Sequence, residues 1–178
     1  DLILGPMFSG KTSKLIEIYE YCIKSGFNVI AINHKLDTRY GVNIIASHDN
    51  KSIPCIQVEK LYDIYNSPQY SKQLSEADVI LINEGQFFED LFKFVLHNLE
   101  EKSKQIHICG LDGDFQRNKF GQLLDLIPYC DDVKKLKGMC KKCPQDRESL
   151  FTFRITNENA QTCIGVDNYT SLCRLCYN

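Results

Sequence analysis

Near the start of the chain, Gly5-Pro6-Met7-Phe8-Ser9-Gly10-Lys11-Thr12 fits the pattern G-x-x-x-x-G-K-[ST], whose chemical use is to hold phosphate. Glycines let the backbone curl so that successive N–H groups point at phosphate oxygens. A helix N-terminus behind them adds partial positive charge. Lys11 would reach the β- and γ-phosphates, and the Thr12 hydroxyl would ligate Mg²⁺. A chance match in a glycine turn is the plainer reading. The apolar run before the loop and the helical pattern after it argue against that.

Such a loop needs an acidic partner, usually at the end of a second apolar strand, to orient the metal through water. Asp78–Ile82 (DVILI) supplies the strand, and the chain continues Asn83-Glu84-Gly85-Gln86. Asn83 stands where the acid is expected. Its amide can accept a hydrogen bond from a metal-bound water but carries no charge. Magnesium binding is therefore expected to lean on Thr12, the phosphates and another carboxylate. Glu84 falls at the strand's C-terminal end, where open α/β sheets seat their ligands, and could take the proton from an attacking hydroxyl. A solvated loop glutamate is the alternative.

A third constellation lies near the other end. Cys140 and Cys143 form one C-x-x-C pair, Cys173 and Cys176 another. Two such pairs match a tetrahedral structural zinc site, which leaves no position open for substrate. A redox C-x-x-C is the competing reading, disfavoured because neither pair sits at a βα junction. The chain has nine cysteines, an odd number, and no secretory signal is read at its start. That predicts a reducing, cytoplasmic location without disulfides. Cys22, Cys55, Cys109 and Cys130 read as buried thiols, and Cys163 is not expected to be a ligand.

These groups need a scaffold. Leu2–Gly5 leads into the phosphate loop. Ser13–Ser25 has apolar residues at helical spacing (Leu15, Ile18, Tyr19, Cys22) and ends at Gly26. Asn28–Ile32, Ile44–Ala46, Asp78–Ile82 and Gln105–Cys109 read as strands. Phe88–Lys102 reads as a helix, and a further one lies within Leu61–Tyr70. The alternation predicts an α/β fold with a largely parallel sheet flanked by helices. From about Gly138 the pattern breaks into short, Cys-rich segments. The expected division is residues 1–137, an ATP-binding α/β domain, and 138–178, a small zinc-binding domain. Net charge is −2, and no run of Lys/Arg is longer than a pair, which argues against nucleic acid as a partner. No apolar stretch is long enough to cross a bilayer, so no membrane partner is expected.

Taken together, the chain resembles the cellular-type (type II) thymidine kinases over essentially its whole length. The resemblance rests on Gly5–Thr12 (GPMFSGKT), Leu36–Tyr40 (LDTRY), Ser47–Asp49 (SHD), Asn83–Phe88 (NEGQFF), Gly110–Gly121 (GLDGDFQRNKFG) and Cys173–Tyr177 (CRLCY). It implies a P-loop, RecA-like sheet plus a C-terminal zinc-binding domain carrying a lasso loop. The implied activity is transfer of the γ-phosphate of ATP to the 5′-hydroxyl of thymidine or deoxyuridine, in pyrimidine deoxynucleotide salvage. Glu84 would be the base. Gly5 to Thr12, with Asp37, Arg39, Asn83 and Gln86, would serve ATP and its Mg²⁺. Met7, Phe87, Leu111 and Phe115 would line the thymine pocket, with Cys163, Ile164 and Tyr169 in the covering loop. The resemblance further implies a homotetramer and feedback by dTTP.

Two departures from the family pattern stand out. Asn83 replaces the usual Asp, and Ile164–Tyr169 (IGVDNY) reads one residue shorter than the usual run. The first motivates an alternative, a regulatory homologue that binds nucleotide without turnover. A P-loop ATPase of the RecA or helicase kind, its zinc module on nucleic acid, is the other. Phe88 reads as a core residue. His48, Asp49 and Arg117 are left open between functional and structural roles. His34, His97 and His107 read as structural.

Overall fold

The computed structural model describes residues 1–38, 41–143, 147–158, 160–162, 165 and 167–178. In chain order the elements are β1 (Leu2–Leu4), α1 (Lys11–Lys24), β2 (Val29–His34), β3 (Ile44–Ala46), β4 (Ser52–Pro54), β5 (Ile56–Val58), α2 (Asp63–Asn66), α3 (Pro68–Glu76), β6 (Val79–Ile82), α4 (Leu91–Leu96), β7 (Gln105–Gly110), β8 (Val133–Lys135), β9 (Gly138–Met139), β10 (Glu148–Ser149), β11 (Phe151–Arg154), β12 (Tyr169–Leu172) and α5 (Arg174–Tyr177).

The main sheet has six strands in the order β5-β2-β6-β7-β1-β8, with every pairing parallel. Its central strands are mostly apolar because both faces are covered, while the edge strand β8 (VKK) is exposed throughout. Alternation divides the residues between two cores. Leu2, Leu4, Ile30, Ile32, Ile80, Ile82, Ile106 and Ile108 face Leu61, Ile64, Leu74, Phe88, Leu91 and Phe94 on one side. Ile3, Ala31, Val79, Leu81 and Cys109 face Leu15, Ile16 and Cys22 of α1 and Ile45 and Ile53 of the β3–β4 hairpin on the other.

Parallel register carries the strand ends to one edge. Ile32 pairs with Ile82, and Leu4 with Gly110. The segments after β1, β2, β6 and β7 therefore emerge together at the C-terminal rim, where such sheets bind ligands. Beyond β8 the chain forms two antiparallel pairs, β9–β10 and β11–β12. Among the described residues their apolar cluster has Cys140, Leu172 and Cys173 as buried members, with Cys143, Phe153, Cys176 and Tyr177 packed against it.

Two helices differ from the sequence expectation. The segment expected within Leu61–Tyr70 is two helices, because Pro68 lacks an N–H and starts α3, with Ser67 Oγ accepting from Tyr70 N. The Phe88–Lys102 helix begins only at Leu91, and its last turn, His97–Glu101, is a π-helix. Buried Asn98 donates there to the Phe94 carbonyl at 2.9 Å and exchanges hydrogen bonds with the Tyr65 hydroxyl. Among the described residues no helix is long and apolar enough to cross a membrane.

Candidate active site

The phosphate loop is built from backbone that few residues tolerate. Gly10 (φ 82) and Phe8 (φ 63) are left-handed, and Gly5 sits at φ 149. A Cβ on Gly5 would lie 2.6 Å from the Leu136 carbonyl oxygen, so the loop packs directly on the strand-exit backbone beyond β8. α1 begins at Lys11 behind Gly10 with no side chain capping its N–H groups. Those donors and the helix dipole suit an anion. The Lys11 ammonium is nearly buried and donates to the Pro6 carbonyl at 2.7 Å. Ser9 Oγ is buried without a hydrogen-bond partner among the described residues. A buried orphan hydroxyl beside a lysine and an uncapped helix start fits a phosphate group, and Thr12 lines the same cavity as a Mg²⁺ ligand would.

At the end of β6, Asn83 is fully buried in a network drawn from three segments. Its Nδ2 donates to Asn33 Oδ1 (3.0 Å) and Asp37 Oδ2 (3.4 Å), and its Oδ1 accepts from the Cys109 thiol (3.0 Å). Asn33 Nδ2 also donates to Asp37 Oδ2 at 3.1 Å, while its Oδ1 accepts from His34 N. Asp37 thus carries the carboxylate of this corner, held by two amides.

Glu84 follows in a left-handed conformation (φ 52), a strain of about 1–2 kcal/mol for a residue with a Cβ. Its Oε2 accepts from Gln86 Nε2 at 2.6 Å, and Gln86 Oε1 accepts from Leu111 N at 3.0 Å. Gln86 is buried and fixes the carboxylate against the end of β7. Close approach to Gln86 explains Gly110 and Gly121, where any Cβ would collide with it.

These groups share one cavity of about 130 Å³. Met7, Phe8, Ser9, Gly10, Lys11, Thr12, Asp37, Glu84, Gln86, Phe87, Leu111, Phe115 and Tyr169 all line it. Gly5, Pro6 and Asn83 support its walls from behind. Phe88 is instead buried in the core, its ring edge-on to His34 with centroids 4.7 Å apart. Burial lowers the His34 pKa, and its Nδ1 accepts from Leu36 N, so the ring is a neutral spacer. His48 lines the cavity beside Phe8, and Asp49 accepts from Ser13 Oγ. Arg117 lies over the Tyr177 ring, 4.5 Å from its centroid. Arg39, Cys163 and Ile164 lie outside the described residues, as does Val166 in the run that reads one residue short.

Several groups that line the cavity or back its wall carry no sequence expectation. Thr152 Oγ1 accepts from Met7 N at 3.0 Å and ties β11 to the phosphate loop. Asp114 accepts from Gln116 N, Asn118 N and the Gln161 side chain. Arg154, buried at 5% exposure, sits against Phe115. The alternation in FTFR, polar residues at 152 and 154 each following a phenylalanine, is the signal that could have flagged both. Of the two cysteine pairs, the sulfurs of Cys140, Cys173 and Cys176 lie within 4.8 Å of one another. Cys143 packs against them but is not in that group. Converging thiols suit a soft divalent metal such as zinc.

The family described as thymidine kinase matches residues 1–177. The chain is similar to a thymidine kinase of Oryza sativa subsp. japonica, 38% identical over 99% of this chain and 65% of that protein. It is likewise similar to a thymidine kinase of sheeppox virus, at 38% identity over 99% of this chain and 94% of the other. A cytosolic thymidine kinase of Bos taurus is 36% identical over 99% of this chain and 70% of its own length.

Proposed function

The chain belongs to the thymidine kinase family, and from that premise we propose that it transfers the γ-phosphate of ATP to the 5′-hydroxyl of thymidine or deoxyuridine. One observation carries the reading: a phosphate loop, a fixed carboxylate and aromatic walls face a single cavity. Lys11 and the N-terminus of α1 hold the phosphates, and Thr12 with Asp37 would hold Mg²⁺, which supplies charge neutralisation when bound. Phe87 and Phe115 supply flat apolar faces for a pyrimidine. Arg39 is proposed beside the transferred group, and Cys163 and Ile164 at the base edge.

The Glu84 carboxylate takes the 5′-hydroxyl proton as that oxygen forms its bond to the γ-phosphorus. The bond from phosphorus to the bridging oxygen breaks, and ADP leaves with that electron pair. Gln86 keeps the carboxylate aimed while the proton moves. In this scheme residues 1–137 bind ATP, and residues 138–178 form a zinc-supported module that encloses the nucleoside. Zinc would be structural, held by Cys140, Cys143, Cys173 and Cys176. A cytoplasmic homotetramer with dTTP feedback, acting in deoxynucleotide salvage without nucleic acid or membrane, completes the proposal.

The test is phosphorylation of radiolabelled thymidine with ATP and Mg²⁺. The parent protein should yield thymidine monophosphate. Glu84→Gln should lower kcat by about 10²–10⁴-fold with unchanged melting temperature. Failure of the parent to form any monophosphate from thymidine or deoxyuridine would overturn the reading.

A further inference from the structure

β11 and β12 pair so that Arg154 lies directly opposite Tyr169. The fourteen residues between them form the loop whose described part reaches the cavity through Gln161, Thr162 and Gly165. Arg154 is the last residue before that loop on β11, and its side chain turns inward to 5% exposure. Burying a guanidinium is costly unless its donors are met. No carboxylate meets them among the described residues. Instead Nη1 donates to the carbonyls of Glu158 (2.8 Å) and Ala160, and Nη2 to the Gln161 carbonyl (3.1 Å) and the Tyr169 hydroxyl. Its Cζ lies 3.8 Å from the centroid of Phe115, a wall of the cavity, and 5.0 Å from that of Tyr169.

We propose that Arg154 is a positioning residue for nucleoside recognition, clamping the loop to the Phe115 wall at Glu158, Ala160 and Gln161. The inference rests on the nucleoside-kinase reading of the same cavity. The shape of the group explains the residue type. A planar fork can serve diverging carbonyls while its face lies on an aromatic ring; an ammonium on a flexible stem cannot do both. The carbonyl ties are charge-assisted and enclosed, so they are stronger than neutral ones. The loop is also pinned by Gln161 Nε2, which donates to Asp114 Oδ2 at 2.9 Å. Arg154 therefore sets where the loop stands relative to Phe115, while the phosphate end of the cavity does not depend on it.

The test compares the parent protein with Arg154→Lys, which keeps the charge and loses the fork. Two readouts are taken, KM for each substrate and the rate at which a glutamyl endopeptidase cuts after exposed Glu158 without ligand. Arg154→Lys should raise the thymidine KM about tenfold or more, leave the ATP KM unchanged and speed the cut by a similar factor. Cutting at the parental rate would overturn the clamp, whether or not the protein phosphorylates thymidine. Faster cutting with both KM values unchanged, or raised alike, would overturn its role in recognition. If the parent shows no turnover, the nucleoside reading fails while the cleavage comparison still decides the clamp. Should Arg154→Lys not fold, Tyr169→Phe, which removes one acceptor and keeps the ring, is cut instead. Faster cutting supports the clamp and parental cutting overturns it.

Discussion

The rim of the parallel sheet and the β9–β12 module build the same cavity by opposite means. At the rim, side chains rest on two apolar cores that bury the strands on both faces. The carboxylates there are fixed by neighbouring amides, as Gln86 fixes Glu84 and as Asn33 and Asn83 fix Asp37. The module has almost no core of its own. Among the described residues its buried apolar members are two cysteines and a leucine, and side-chain ties to its loop come from a guanidinium and an amide. A fold this small needs staples. On the proposed reading, chemistry would fall on the densely packed rim, and recognition where order depends on a few strong bonds.

Stripping the metal is the sharpest way to break this contrast. A structural zinc contributes on the order of 10 kcal/mol to a small domain, far more than a three-residue apolar cluster can replace. Cys173→Ser, or a strong chelator, should release the proposed zinc and expose residues 138–178 to hydrogen exchange. The thymidine KM should rise beyond measurement, while ATP still protects the phosphate loop. If ATP protection were lost together with the module, the two regions would be one cooperative unit and the contrast would fail.

Asn83→Asp attacks the rim instead. The new carboxylate would face Asp37 Oδ2 at 3.4 Å and Asn33 Oδ1 at 3.0 Å, acceptors that the amide now satisfies as a donor. Like charges at that distance cannot both stay ionised without a cation. The substitution should therefore lower kcat/KM by about 10–100-fold at low Mg²⁺, a loss that rising Mg²⁺ should partly reverse because a cation relieves the repulsion. A rise in activity at ordinary Mg²⁺ would show that the missing charge, and not the amide network, limits the site.

How legible each region was follows from how local its signals are. Gly5 to Thr12 and Glu84 were readable because one short segment carries the whole pattern, and the apolar runs of the sheet mark its buried strands. The Asn33–Asn83–Asp37 corner was not, since it exists only once β2 and β6 pair in register. Arg154 was missed for a similar reason: its partners lie across a hairpin and on the loop after β7. The last turn of the α4 segment kept its apolar stripe, so periodicity gave no sign that Asn98 would convert it to a π turn.

The smallest expected effect separates the regions by acid. His107 on β7 is 6% exposed, and burial above all pushes its pKa down to about 4 from 6.5. Asp1 Oδ2 lies 3.1 Å from its Nδ1 and would favour the charged ring, but loss of solvent outweighs it. The folded state therefore binds fewer protons than the unfolded chain between those values. Stability from this group is complete above the unfolded pKa and drains away as pH falls toward the folded one, by about 2 kcal/mol between pH 7 and pH 5. Urea unfolding of residues in the main sheet, followed at both pH values, should show this loss in the parent and not in His107→Leu. Thiolate ligands in the module also take up protons in acid, but their loss should appear equally in both proteins. An acid-induced loss of main-sheet stability as large in His107→Leu as in the parent would instead place it in His34 of β2, whose pKa burial also lowers, or in the cysteine module.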